Sequence, residues 1–204
     1  MDIKICGLTN VEDARCAVDA GADFLGFVLY AGSPRGIDVH ALARIRASLD
    51  TRIPLVAVVV NPSCAAAREA VEVGGADIVQ VHGSVGYAVF QGFPYPLWRA
   101  VAAGGGRLEP DPVVWPAARY VVDAAVAGQH GGTGVRADWD VAAGVARLSP
   151  VMLAGGLTAG VVAEAIRAVR PLGVDVSSGV EIAPGRKDHA QVRAFIAAAR
   201  AADA

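Results

Sequence analysis

The chain has 204 residues, 54% hydrophobic and 19% charged, with 18 basic against 20 acidic side chains and a net charge of −2. That balance excludes the clustered basic excess of a nucleic-acid binder, and no apolar run approaches the ~18 residues that a membrane span needs. The length fits one domain over residues 1–204, and neither nucleic acid nor membrane is an expected partner.

The first residues, MDIKICGLTN, carry no basic-then-apolar leader. Cys6, Cys16 and Cys64 form no CxxC pair, so a disulfide framework is not expected and a reducing cytoplasm fits best. The 24 glycines and low charge point to buried parallel strands joined by tight turns, because strands covered on both faces read as continuous apolar runs.

In chain order those runs are Ile3–Cys6, Phe24–Tyr30, Leu55–Val60, Ile78–Val81, Leu97–Val101, Tyr120–Asp123, Val151–Ala154 and Val174–Ser177. Each is short and rich in β-branched or aromatic residues, which favours strand over helix. Helical segments lie between them. Thr9-Asn10-Val11-Glu12 has the form of a capping box, and Asn61-Pro62 that of an N-cap beside a first-turn proline. Leu42, Ile45 and Leu49 lie at helical spacing, as do Val162, Ile166 and Val169. Gly21-Ala22-Asp23 and Gly75-Ala76-Asp77 supply left-handed helix stops. Gly104–Ala118, with Pro110, Pro112 and Pro116, predicts a short or irregular fifth helix.

Such alternation implies parallel strands with right-handed crossovers. About eight strands make either a closed (β/α)8 barrel or an open doubly wound sheet, and alternation does not separate the two. In a barrel the chemistry sits at the C-terminal strand ends. Those ends carry Cys6-Gly7, Gln80-Val81-His82-Gly83, Asp123 before Gly131-Gly132-Thr133-Gly134, Gly155-Gly156, and Asp175 through Glu181.

Several of these residues have an ordinary reading beside a functional one. Gly155-Gly156 and Ser178-Gly179 fit a phosphate held by converging backbone N–H groups, though glycine pairs also simply make turns. Cys6 is by default a small buried hydrophobe. Lys4, two residues earlier on the same strand face, would lower its thiol pKa and favour thiolate. Asp123 is either a structural rim acid or a general acid, and Asp175 orients substrate hydroxyls. Arg35, in the loop after the second strand, is a solvated loop arginine or a bidentate carboxylate grip. His82 reads as a hydrogen-bonded structural histidine. Cys16 and Cys64 read as helix packing. His40, His130 and His189 lack metal-ligand spacing, so no metal is expected.

Lys4-Ile5-Cys6-Gly7-Leu8-Thr9 resembles the opening motif of the phosphoribosylanthranilate isomerases. So do Ser33-Pro34-Arg35, Gln80-Val81-His82-Gly83, Asp123 with its glycine loop, Leu153-Ala154-Gly155-Gly156-Leu157, Asp175-Val176-Ser177-Ser178-Gly179-Val180-Glu181 and Pro184-Gly185-Arg186-Lys187-Asp188. The resemblance runs in family order from residue 3 to residue 188. It implies an α/β chain folded as a single (β/α)8 barrel, present as monomer or homodimer, that needs no cofactor. The implied substrate is a phosphorylated aminosugar, rearranged in tryptophan biosynthesis. Asp123 is then the general acid that opens the ribose ring, and Cys6 the general base at the sugar C2. Arg35 holds the anthranilate carboxylate, with Gln80, His82 and Asp175 in the substrate site. Gly155, Gly156, Ser178 and Gly179 hold the phosphate. The proline-rich stretch after the fifth strand and Gln129-His130 depart from the family pattern. A histidine-pathway phosphoribosyl isomerase or bifunctional relative is the nearest alternative, but those barrels have aspartate where this chain has Cys6. A non-catalytic phosphate-binding barrel would need neither Cys6 nor Asp123.

Overall fold

In a computed structural model, residues 1–104, 107–111, 113–124 and 138–203 are described. The strands are β1 (Asp2–Ile5), β2 (Phe24–Val28), β3 (Leu55–Val60), β4 (Ile78–His82), β5 (Leu97–Gly104), β6 (Arg107–Glu109), β7 (Arg119–Ala124), β8 (Val151–Leu153), β9 (Gly173–Val176), β10 (Glu181–Ala183) and β11 (Arg186–Lys187). The helices are α1 (Val11–Ala20), α2 (Val39–Ser48), α3 (Cys64–Glu72), α4 (Trp139–Ala146), α5 (Val162–Val169) and α6 (His189–Asp203).

Parallel pairing runs β4-β3-β2-β1-β9-β8-β7-β5, and a further pairing of β4 with β5 closes the ring. Of the two architectures left open by alternation, the closed eight-stranded barrel is therefore the one formed. The eight expected strands are all present: β3 matches its expected run at both ends, and no strand end moves by more than three residues. The largest extension is β5, which runs past Val101 to pair antiparallel with β6. Among the described residues between Gly104 and Ala118, the place of the expected fifth helix is taken by β6 and turns. Proline removes the N–H groups that a helix there would need. Gly131-Gly132-Thr133-Gly134, Gln129 and His130 lie outside the described residues.

Alternation along each strand sorts the side chains. Ile3, Ile5, Leu25, Phe27 and Leu55 face outward into a cluster with α1, α2, α5 and α6. Phe24, Val56, Ile78, Trp98, Val121 and Met152 fill the barrel interior. At its N-terminal end Phe24 and Trp98 meet edge-on at 4.9 Å. The Arg119 guanidinium lies over both rings, 4.9 and 5.0 Å from their centroids, and reaches Asp2 at 2.5 Å. This plug closes the bottom of the barrel and leaves its other end for chemistry.

Two helix starts differ from expectation. The cap of α1 is Asn10, whose side chain accepts from the Asp13 N–H and donates to the Asp13 carboxylate. Thr9 instead donates to the Gly185 carbonyl. The cap of α3 is Ser63, while the Asn61 side chain accepts from Ser84 and Val85 N–H groups and so ties β3 to the loop after β4. A polar cap can serve a neighbouring loop as readily as its own helix, and local sequence does not choose. Gly21 does close α1, at φ 93°.

Asp13 does more than cap. It accepts from the Lys187 N–H at 2.9 Å and pairs with His189 at 2.8 Å, joining α1 to β11 and α6. Burial opposes its charge, yet the bonds from Lys187, Asn10 and His189 prevail and hold its carboxyl below the ordinary 3.8. Asp13→Ala strands these donors and is expected to cost about 2–3 kcal/mol of unfolding free energy. A folded-state value below the unfolded one adds stability above the ordinary carboxylate range, and that stability is lost as pH falls through the folded value. Urea unfolding of both proteins at decreasing pH checks this: the difference between them shrinks in acid.

Candidate active site

A pocket opens at the C-terminal ends of the barrel strands, where the plugged bottom and the outward helices leave room. Cys6 follows β1, its N–H bonded to the Val176 carbonyl at 2.8 Å. Asp123 is on β7, which stands three places from β1 around the eight-membered ring. Both line the pocket, so the two candidate proton-transfer groups reach it from well-separated strands of the ring. Arg35 enters from the loop after β2, Gln80 and His82 from β4, and Asp175 from β9. Gly155, Gly156, Ser178 and Gly179 complete the rim after β8 and β9. Every residue expected at the site is therefore brought to one pocket, together with Tyr30, Ser33 and Ser177, to which the sequence assigned no role.

Beneath Cys6 lies a fully buried ion pair. Lys4 and Asp175 are register partners on β1 and β9, and Lys4 Nζ donates to Asp175 Oδ2 at 2.8 Å with the lysine side chain 0% exposed. Burial alone would lower the Lys4 ammonium; Asp175 and Cys6 reverse this and hold it above its ordinary value. Gly26 leaves the space for the arrangement. A Cβ there would stand 2.8 Å from Cys6 Sγ and 3.0 Å from Lys4 Cε.

The thiol is not an ordinary low-pKa thiolate. Burial pushes Cys6 up, the charge on Asp175 adds to this, and the opposing pull of Lys4 and Lys187 does not fully offset them. Lys4 lowers the thiol pKa as expected, but the expectation that it favours thiolate is corrected in the net direction, because the same burial raises the thiol more.

Arg35 makes a bidentate carboxylate pair, as its type predicts, but its partner is in the chain. Nε donates to Glu181 Oε1 at 2.9 Å and Nη2 to Oε2 at 2.7 Å. Glu181 also accepts from Lys187 Nζ at 2.8 Å. Neither Glu181 nor Lys187 was assigned a role from sequence. Their meeting depends on the β10–β11 hairpin, which sets Glu181 opposite Lys187. On β4, Gln80 and His82 side chains are 2.9 Å apart, which fits the structural reading of His82 while leaving its ring at the pocket.

The phosphate-type rim has the geometry that close backbone approach requires. Gly155 and Gly156 have φ of 84° and 64°, a region open to glycine at little cost. At Gly179 a Cβ would collide with the Leu157 carbonyl, so the loops after β8 and β9 touch there and any larger residue forces them apart. Three buried polar atoms of this region have no hydrogen-bond partner among the described residues: Asp175 Oδ1, Gln80 Oε1 and Ser177 Oγ. Buried polar groups are nearly always paired, so such a group of orphans at one pocket marks a place for a polar ligand. Among the described residues no group of three or more His, Cys, Asp or Glu is placed to hold a metal ion, and no helix is long and apolar enough to cross a membrane.

Comparison with known proteins agrees with this geometry. A family model described as N-(5'phosphoribosyl)anthranilate (PRA) isomerase matches residues 3–198. The N-(5'-phosphoribosyl)anthranilate isomerase of Pelobacter propionicus is 43% identical over 199 residues, covering 97% of this chain and 95% of the relative. The crystal structure of phosphoribosyl anthranilate isomerase from Thermus thermophilus superposes with a TM-score of 0.89 at 31% identity, over 98% of this chain and 99% of that one. A further crystal structure has a TM-score of 0.84 at 31% identity over 98% and 99% of the two chains. It is a phosphoribosyl anthranilate isomerase in complex with reduced 1-(o-carboxyphenylamino)-1-deoxyribulose 5-phosphate. By its sequence over almost its whole length and by its closed barrel, this chain belongs to the N-(5'-phosphoribosyl)anthranilate isomerase family.

Proposed function

We propose how this pocket carries out the family's reaction, the isomerisation of N-(5'-phosphoribosyl)anthranilate in tryptophan biosynthesis. Asp123 is the general acid. It protonates the ribose ring oxygen, and the ring opens to an imine. Cys6, across the barrel mouth, is the general base that takes the proton from the sugar C2. The resulting enolamine tautomerises to the ketone, 1-(2-carboxyphenylamino)-1-deoxyribulose 5-phosphate. The substrate class is supported by the reduced product analogue bound to the relative named above.

Residue chemistry fits each step. Ring opening needs a proton donor at the leaving oxygen, and enolisation needs a base at the other end of the reacting unit. A protonated imine next to Cys6 is a cation that favours thiolate, so the raised thiol is suited to ionise as the substrate opens. Lys4 holds the thiolate once formed. Asp175 Oδ1 and Ser177 Oγ, buried and without a partner among the described residues, are acceptors for substrate hydroxyl or amine hydrogens. Arg35 faces the anthranilate carboxylate, and the backbone at Gly155, Gly156, Ser178 and Gly179 holds the phosphate, far enough from the reacting carbon to supply positioning.

The observation that carries this reading is a thiol and a carboxyl on nearly opposite strands of one pocket that also holds orphaned polar atoms. Purified protein in chelator, with no nucleotide added, is expected to consume the fluorescent aminosugar. Binding of inorganic phosphate without turnover would overturn the catalytic reading in favour of a phosphate-binding barrel.

A further inference from the structure

Arg35 offers a carboxylate only one of its two hydrogen-bonding edges. Its Nε–Nη2 edge is filled by Glu181, through contacts of 2.9, 3.2 and 2.7 Å. Its Nη1 makes no bond to the described residues. The free Nη1–Nη2 end belongs to a residue that lines the pocket.

Glu181 is itself held from the other side. Lys187 Nζ donates to Glu181 Oε1 at 2.8 Å and to the Ser177 carbonyl at 3.1 Å. The Lys187 and Glu181 side chains are 0% and 4% exposed, and that of Arg35 13%. Lys187 is fixed in turn by its backbone, which donates to Asp13 on α1 at 2.9 Å. The cluster is thus two cations on one carboxylate, a surplus of one positive charge, shielded from water and joined directly to the first residue of the Ser177-Ser178-Gly179 loop. Burial would raise the Glu181 carboxyl, but bonds from Arg35 and Lys187 hold it below its ordinary range, so it stays ionised.

We propose that Glu181, pinned by Lys187, is a positioning residue that turns Arg35 end-on to the aromatic carboxylate of the substrate and so sets selectivity for that carboxylate. The proposal rests on the reading of Arg35 as the carboxylate ligand. An arginine side chain has several rotatable bonds, and its fork is effective only when pre-organised. A filled side edge fixes the fork. The surplus charge of the cluster then awaits an anion at the free edge. Without Glu181, two buried cations face each other, and Arg35 is driven off its line.

The test compares two substrates: the natural one, and the phosphoribosyl derivative of aniline, which lacks the ortho carboxylate. Glu181→Gln is expected to raise KM for the carboxylated substrate roughly tenfold with kcat little changed, the mark of lost binding common to ground and transition states. KM for the aniline derivative should stay near that of wild type. Glu181→Asp keeps the charge with a shorter reach and should fall between wild type and Glu181→Gln. If Glu181→Gln does not fold, Glu181→Asp carries the test alone. An equal KM rise for both substrates, no rise for either, or a fall for the carboxylated one overturns the proposal. Arg35→Met, assayed alongside, separates the two levels. If it discriminates between the substrates while the Glu181 variants do not, only the positioning role fails. If Arg35→Met does not discriminate, the carboxylate reading fails and takes the proposal with it.

Discussion

Cys6→Ser and Asp123→Asn each lose at least about 10²-fold in kcat, since a positioned proton-transfer group is worth on the order of 10²–10⁴-fold. Loss of substrate fluorescence at saturation measures this directly. The two variants differ in pH dependence. Burial raises the Cys6 thiol, so kcat/KM for the wild-type enzyme should climb with pH on a limb above the ordinary cysteine range. Cys6→Ser should lose that limb, and Asp123→Asn should keep it at reduced height. Near-normal turnover by Cys6→Ser would mean that another group is the base. A near-normal Asp123→Asn would move the ring-opening acid elsewhere. The double variant should lose less than the product of the single losses, because two groups serving one reaction sequence are not independent.

Lys4→Met has the largest expected effect on stability. Lys4 is completely buried against Asp175 at 2.8 Å. Removing it leaves an uncompensated carboxylate inside the barrel, at a cost of about 3–5 kcal/mol. For a domain of this size that lowers Tm by roughly 6–20 °C. Lys4→Met combined with Asp175→Leu removes both charges and should recover a large part of the loss, because an apolar pair of similar volume carries no desolvation penalty. Calorimetry on the three proteins decides this. If the double variant is as unstable as the sum of its parts, the pair is worth more than its replacement and its net electrostatic contribution is favourable. The same Lys4→Met change removes the chief group that lowers the Cys6 thiol, leaving burial and Asp175, both of which raise it. The alkaline limb of kcat/KM should therefore move to higher pH. A limb that stays in place or moves down separates Lys4 from the chemistry.

The strand–helix order was legible as alternation of short apolar runs with helical segments, its strand ends within a few residues, and the barrel itself only through the family resemblance. Every candidate residue read from a strand end reached the pocket, because a parallel barrel places all C-terminal strand ends on one face. Cys6 and Asp123 stood out by their position at the end of an apolar run, but the roles expected of them, and of Asp175, came from the family resemblance. What went astray was local and polar. Asn61 looked like the cap of its own helix and instead braces the loop after β4. The proline-rich stretch after β5 looked like a poor helix and holds a short strand. In both cases several partners satisfy the same hydrogen-bonding group, and only the fold selects one.

By itself, then, the order of residues determined the strand–helix alternation, the faces of each strand and the list of groups presented at the barrel mouth, since these follow from periods of two and 3.6 along the chain. The tertiary structure, and not the alternation, decided the closure of the sheet, which depends on β4 meeting β5, and it decided the sign of the Cys6 shift. That sign is a balance between depth of burial and the distances to Lys4, Asp175 and Lys187. It also decided the partner of Arg35. A guanidinium specifies a carboxylate by its geometry, but which carboxylate it meets is settled by the β10–β11 hairpin folding Glu181 and Lys187 back beneath it.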